Sequence, residues 1–205
     1  MQANLKAIVA AAVTTLAVGN AEAQTIVDIK GYGADGAGVA AAYGYPLLPG
    51  TTISMTHPVL VSLAAGDYAI SDAWGLPGAL YDAWDYNVSQ AGTWDSHFYA
   101  AVQQGRSTAY TLLLDGLSLR QSPCTNPNCS WSTEAQASAA FLATPAFALH
   151  LAQPTVVAFS STDYALGDNA GGMSLLVTAV PEPPAALLIV AGLAWLGARR
   201  LRPGR

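Results

Sequence analysis

The C-terminal segment, residues 180–205, limits what the rest of the chain can fold into. Its proline pair interrupts any sheet, because proline has no backbone N–H to donate to a neighbouring strand. The uncharged apolar run Ala185–Ala198 that follows predicts a transmembrane helix. A cluster of basic residues then predicts a cytoplasmic end. The residues that carry these signals are Pro181, Glu182 and Pro183, the apolar run, and the orienting residues Arg199, Arg200 and Arg202.

The N-terminus has the three parts of a secretory signal peptide. Lys6 supplies the positive charge, Ala7–Val18 is apolar, and Ala21-Glu22-Ala23 matches the small-residue cleavage site. A buried first helix is the alternative, but it would not explain the small residues at positions 21 and 23. We therefore predict a signal helix in residues 1–23, export through the Sec translocon, and removal by signal peptidase.

The C-terminal segment resembles the PEP-CTERM sorting signal of Gram-negative bacteria. The resemblance covers Pro181-Glu182-Pro183, the apolar helix and the arginine-rich end, in that order. It implies recognition by an exosortase, a membrane-embedded cysteine transpeptidase, and cleavage near the proline pair. Members of this family are commonly produced beside extracellular polysaccharide and biofilm machinery. The alternative is a permanent anchor, but the apolar run is shorter than the roughly 20 residues that a stable span prefers.

Removing both ends leaves residues 24–179, which is enough for one domain. The formal net charge of the chain is −5, and several of its basic residues lie in the tail. An acidic body argues against nucleic acid as a partner.

Cys124 and Cys129 are close in sequence, and an exported setting favours a disulfide between them. A pair of free thiols is the alternative, and a zinc site would need two more ligands.

Short apolar runs separated by turns predict antiparallel strands. The sequence Thr133-Glu134-Ala135-Gln136 resembles a capping box and predicts one helix that extends to about Leu142 and ends before Pro145. We therefore expect a mostly β fold, an antiparallel β-sandwich of jelly-roll type with one short helix. The predicted strands are 25–30, 51–56, 59–63, 68–71, 81–87, 96–102, 108–114, 147–151, 155–160 and 173–179.

A second resemblance concerns the body. The order Ala65-Gly-Asp-Tyr68, Leu80-Tyr-Asp-Ala-Trp84 and Gly167–Leu175 looks like the β-sandwich ectodomain that is common among proteins with this sorting tail. The resemblance implies an architecture more than an activity.

Two groups of acidic residues are candidate sites. Asp82 and Asp85 lie between aromatic residues, as in some glycoside-cleaving sites, but alternation along a strand would place them on opposite faces. The glycine-bearing loop with Asp163, Asp168 and Asn169 offers the oxygen ligands that calcium prefers. The same residue types are standard turn formers, so a plain turn is the alternative there.

The tryptophans are candidates for sugar binding, because rings can stack on the apolar faces of sugars. We expect Trp74, Trp94 and Trp131, which lie beside glycine, aspartate and serine, to be exposed, and Trp84 to be in the core. Of these, Trp74 and Trp94 are the candidate ligand-binding residues. The sequence contains no Gly-x-Ser-x-Gly and no His-Glu-x-x-His signature. We therefore expect no enzyme but an exported matrix or surface protein that associates with exopolysaccharide and has calcium or a glycan as candidate ligands. A secreted polysaccharide hydrolase is the alternative.

Overall fold

The computed structural model describes residues 23–43, 46–116 and 130–181. Residues Gln24–Val180 form one compact unit. This described part contains twelve strands and one helix. The strands are β1 (Gln24–Lys30), β2 (Gly38–Val39), β3 (Thr52–Thr56), β4 (Val59–Leu63), β5 (Gly66–Asp72), β6 (Trp84–Asp85), β7 (Trp94–Asp95), β8 (Phe98–Gln103), β9 (Ala109–Asp115), β10 (Phe147–Leu151), β11 (Thr155–Ser161) and β12 (Ala170–Val180), and the helix is α1 (Glu134–Leu142).

The strands form two six-stranded sheets in which the pairings are antiparallel. The first sheet has the order β10-β5-β12-β6-β7, with β1 also paired to β12. The second has the order β2-β3-β9-β8-β11-β4. The prediction of a mostly β, antiparallel protein with one helix is confirmed for the described residues. The bounds of β4 and β10 are those that alternation predicted.

The main core contains side chains from both sheets. Ile29, Ile70 and Leu175 come from the first sheet, and Phe98 and Phe159 come from the second. All five side chains are fully buried. The two sheets therefore share one apolar interior, an arrangement consistent with a β-sandwich.

A second apolar cluster contains the alternate residues of the second sheet. It includes Tyr99, Leu112 and Ala158, and the partly buried Tyr43 and Leu47 pack against it from the preceding loop. Along residues 98–101 of β8 and 157–161 of β11, the second sheet is therefore buried on both faces. This explains why β8 and β11 are continuous runs of buried residues rather than simple alternations.

The prediction of a long strand over 81–87 is wrong, because only Trp84 and Asp85 pair as a strand. Polar side chains on both sides bond the local backbone instead. The Asp82 carboxylate accepts from the Ala83 N–H at 2.8 Å, and the Asp85 carboxylate accepts from the Asn87 N–H at 2.9 Å. Such local bonds compete with the ladder between strands and turn the chain out of it.

The helix begins where the capping pattern predicted. The Thr133 hydroxyl accepts from the Gln136 N–H at 3.3 Å, and the backbone of Thr133 is extended. The Gln136 side chain accepts from the N–H of Ser132 at 3.2 Å, one residue before the position expected for a capping box. The helix ends at Leu142, three residues before Pro145.

Several predictions concern residues outside the described ranges. These are the signal helix apart from Ala23, the disulfide between Cys124 and Cys129, the sorting residues Glu182 and Pro183, the apolar run, and the three orienting arginines. Among the described residues, no helix is long and apolar enough to cross a membrane.

Candidate functional site

The described chain ends where the sorting segment begins. Strand β12 pairs with β5 up to Val180, which lies opposite Asp67. Pro181 follows at once and is exposed. Because proline has no N–H for a ladder bond, the strand ends here. The first residue of the predicted sorting motif therefore lies outside both sheets.

The candidate calcium loop connects β11 to β12. The Asp163 carboxylate accepts from the N–H groups of Tyr164 at 2.6 Å and Ala165 at 3.1 Å. The buried Asn169 donates its amide to the Gly31 carbonyl at 2.9 Å. These two side chains thus shape the loop and attach it to the end of β1. In the part of the chain that the structure describes, no group of three or more His, Cys, Asp or Glu residues could hold a metal ion, and calcium binding here stays a prediction.

The tryptophans have three different environments. Trp84 is buried, as predicted, whereas Trp74 is 48% exposed. The prediction that Trp94 and Trp131 are exposed is wrong, because both are half-buried and pair with each other through two backbone hydrogen bonds of 3.2 and 2.8 Å. Leu76 and Leu80, on the same connection between β5 and β6 as Trp74, are also exposed. The exposed aromatic candidate in this loop is therefore Trp74, with apolar neighbours in sequence.

The two aspartates that the sequence paired serve separate purposes. Asp85 is buried and accepts hydrogen bonds from the Thr93 hydroxyl and the Asn87 N–H. Asp82 lies close to Glu134, the first residue of α1. The hydrogen bond to Asp82, with burial and the neighbouring charge, raises the pKa of Glu134 to about 7. A carboxyl group whose pKa lies near neutral pH can donate or accept a proton there, which a carboxylate with an ordinary pKa does not do.

Sequence reasoning missed Glu134 because it lies 52 positions after Asp82 in the chain. Its only local signal is an acidic residue in the first turn of a helix, which the helix dipole alone explains. The pairing depends on the packing of α1 near the 80–83 connection.

A buried ionisable cluster lies where β7, β8 and β9 meet. The His97 Nε2 and Asp115 Oδ1 atoms are 2.6 Å apart, and each side chain is 2% exposed. Asp95 accepts from the N–H groups of Ser96 at 2.7 Å and His97 at 3.1 Å. Burial raises the pKa of Asp95 to about 6, although the charge of His97 and the two N–H groups oppose this.

This buried cluster, Asp95, His97 and Asp115, also holds a loop. The second oxygen of Asp115 accepts from the Leu47 N–H at 2.6 Å, and Leu47 packs on the outer cluster of the second sheet. A substrate in solution has almost no access to side chains this deeply buried. The cluster therefore holds the loop that covers the second sheet. Inside the protein, its ionisable groups balance one another's charge.

Comparison with known proteins adds no family to this geometry. No protein-family model, curated protein or solved structure matches the chain. The function has to be argued from the residues themselves.

Proposed function

We propose that this protein is an exported surface or extracellular-matrix protein of a Gram-negative bacterium and that an exosortase processes its C-terminus. The observation that carries the proposal is the order of Pro181-Glu182-Pro183, an uncharged apolar run and an arginine cluster, in a chain whose residues 1–23 have the sequence pattern of a signal peptide. The Sec translocon and signal peptidase act first. The apolar run then holds the chain in the inner membrane until the exosortase releases the body.

The end of β12 supports this proposal. The ladder with β5 stops at Val180, and the exposed Pro181 comes next. A processing enzyme needs an extended substrate whose backbone is not already paired in a sheet. Cleavage at the proline pair would therefore leave the ladder of β12 intact.

We also propose that the fold of the body is a jelly roll. Four pairings are nested in the order of the chain: β1 with β12, β4 with β11, β5 with β10, and β8 with β9. They divide between the sheets as β1-β12-β5-β10 and β4-β11-β8-β9. This wrapping of a long hairpin into two four-stranded sheets is what defines a jelly roll. The short strands β2, β3, β6 and β7 extend the two sheets.

In our proposal the body is non-catalytic and associates with exopolysaccharide. The exposed Trp74, with Leu76 and Leu80 on the same loop, offers an apolar surface on which a sugar ring can stack. Trp94 is a weaker candidate because it is half-buried. Calcium at Asp163, Asp168 and Asn169 is the proposed ion ligand.

The sorting proposal is tested by following the full chain in cells with and without an exosortase. We expect a form that lacks 185–205 only when the enzyme is present, and a full-length membrane-bound chain otherwise. Replacing Pro181-Glu182-Pro183 by alanines should block processing, whereas alanine at the exposed Pro77 should not. Equal processing of the triple-alanine variant, or an intact tail in the matrix fraction, would support a simple anchor instead.

A secreted polysaccharide hydrolase is a second candidate, and the raised pKa of Glu134 beside Asp82 is the observation that favours it. Asp85, which the sequence paired with Asp82, argues against it, because it is buried and accepts hydrogen bonds from the Thr93 hydroxyl and the Asn87 N–H. Turnover of a polysaccharide that both Asp82→Asn and Glu134→Gln abolish would establish the hydrolase.

A further inference from the structure

The edge strand β4 (Val59–Leu63) differs from the other edges of the two sheets. It pairs with β11 on one side, and its opposite edge has no backbone partner within residues 23–43, 46–116 and 130–181. Its sequence, Val-Leu-Val-Ser-Leu, contains no charge and no proline. An exposed row of N–H and C=O groups of this kind is a template for another strand.

The other edges carry features that discourage pairing. Strand β10 has the polar His150, whose Nδ1 atom lies 2.7 Å from the Asp67 carboxylate, and β1 has Asp28 and Lys30. Strands β2 and β7 have only two residues each. Charge and short length both protect an edge from a second chain. Strand β4 has neither, since five residues is an ordinary strand length.

The side chains around β4 also lack a complete cover. On the core face, Val59 and Val61 are only partly buried, although they pack against the main core. On the outer face, Leu60 is 56% exposed and Val156 of the neighbouring β11 is 49% exposed. Strand β11 likewise carries no charge. A strand laid along β4 would therefore cover apolar surface on both faces without burying a charge.

We propose that β4 pairs antiparallel with β4 of a second copy of this chain, about a two-fold axis at Val61. In this register Val59 lies opposite Leu63 of the second copy, Leu60 opposite Ser62, and Val61 opposite Val61. All five residues pair, and apolar side chains meet on the core face. A shift by one residue toward the N-terminus would bring in Pro58, which has no N–H to donate.

The strand is self-complementary, and this is why a second copy is the partner. The chain as a whole has a net charge of −5, so copies repel each other over most of their surfaces. At β4 and β11 that repulsion is locally absent. A ladder of five residue pairs is small beside a standard interface of about 1,600 Å², so we expect dimers that dissociate readily.

Cysteine cross-linking of the full-length chain tests the register. Leu60→Cys and Ser62→Cys copies with different epitope tags are produced together in one exporting cell. Opposed positions have Cβ atoms about 4.5–5.5 Å apart, whereas Leu60 and its own symmetry mate are diagonal neighbours about 7–8 Å apart. We expect severalfold more mixed disulfide-linked dimers than either variant forms alone. The control pairs Ser62→Cys with Ala148→Cys, an exposed position on the edge strand β10.

A charge substitution tests the association without cysteines. Two differently tagged copies of the full-length chain should co-purify, and Leu60→Lys should reduce this strongly because it places two like charges on diagonal positions. Leu60 is more than half exposed, so a lysine can reach solvent in the folded monomer. Leu142→Lys, at a site that is 66% exposed, makes the same change elsewhere and should leave co-purification unchanged.

The proposal is overturned if Leu60→Cys and Ser62→Cys copies form mixed dimers no more often than Ser62→Cys and Ala148→Cys copies do. Equal loss of co-purification with both lysine variants would also overturn it. If the β4 cysteines link instead to a different protein of the cell, then β4 accepts a foreign strand, and pairing between copies is wrong. The test does not require an exosortase, so its result is independent of the sorting proposal.

Discussion

At the scale of single residues, the buried cluster of Asp95, His97 and Asp115 costs the folded body free energy, because ionisable groups are removed from water. Two carboxylates and one imidazole lie out of contact with water, and ionised groups there need partners. Asp115 has His97 and the Leu47 N–H. Within the described residues, the Asp95 carboxylate accepts hydrogen bonds from two backbone N–H groups, and the charge of His97 also favours its ionised form. Its charge is therefore the least well compensated of the three.

We predict that Asp95→Asn stabilises the protein above pH 6. Burial raises the pKa of Asp95 from 3.8 to about 6, so the folded state binds this proton more tightly than the unfolded state. The free energy of unfolding therefore falls as the pH rises from about 4 to about 6 and stays lower above. Asparagine keeps the acceptor oxygen without the charge, and the gain at pH 8 should reach up to about 3 kcal/mol.

The measurement is chemical denaturation of wild type and variant at pH 4 and pH 8. The difference between them should be small at pH 4 and large at pH 8, which separates Asp95 from other groups that titrate in both proteins. Asp35→Asn is the control, because a hydrogen bond from Lys30 lowers the pKa of that exposed carboxyl. A gain of equal size at both pH values would contradict the role given to the charge of Asp95.

Among the elements, α1 shows most clearly how a local sequence pattern becomes structure. Thr133 accepts the first hydrogen bond, and the apolar Phe141 is buried in the main core. The rest of the helix is rich in alanine and largely exposed. Because this helix has few large apolar contacts, its cap contributes a substantial part of its stability.

Thr133→Ala should lower the free energy of unfolding by about 1 kcal/mol, because it removes the side-chain acceptor of the Gln136 N–H. Thr133→Ser retains an oxygen at the same place and should cost much less. Both values can be measured by denaturant unfolding at one pH. If the alanine and serine variants are equally stable, the 3.3 Å hydrogen bond is not what holds the helix start.

For the whole molecule, one loop links the last two strands of the body to its first strand. The loop with Asp163, Asp168 and Asn169 joins the last two strands, and its side chains connect to the end of β1 through the Gly31 carbonyl. An ion bound there would stabilise the pairing of the first and last strands. It would therefore raise the stability of the whole body rather than that of the loop alone.

If calcium binds this loop, millimolar calcium should raise the melting temperature by a few degrees. At ten times the dissociation constant the stabilisation is about 1.4 kcal/mol. Asp168→Ala should abolish the rise, whereas Asp35→Ala, which removes a carboxylate elsewhere, should preserve it. An unchanged melting temperature in wild type would leave these residues as turn formers only.

Properties that depend on neighbours in sequence could be predicted well. Alternation placed β4 and β10 within their observed bounds, and the Thr133 pattern placed the start of α1. The burial of Trp84 was likewise predicted. Each of these follows from periodicity or local hydrogen bonding, which a short window of the chain contains.

The tertiary structure alone decided which distant residues meet. Asp82 meets Glu134 instead of Asp85, His97 meets Asp115 through the pairing of β8 with β9, and β12 lies between β1 and β5. Local alternation states which face of a strand a side chain occupies, but not which strand becomes its neighbour. The packing of the two sheets decides which strands become neighbours, because that packing depends on contacts between residues far apart in sequence, which no short window of the chain contains.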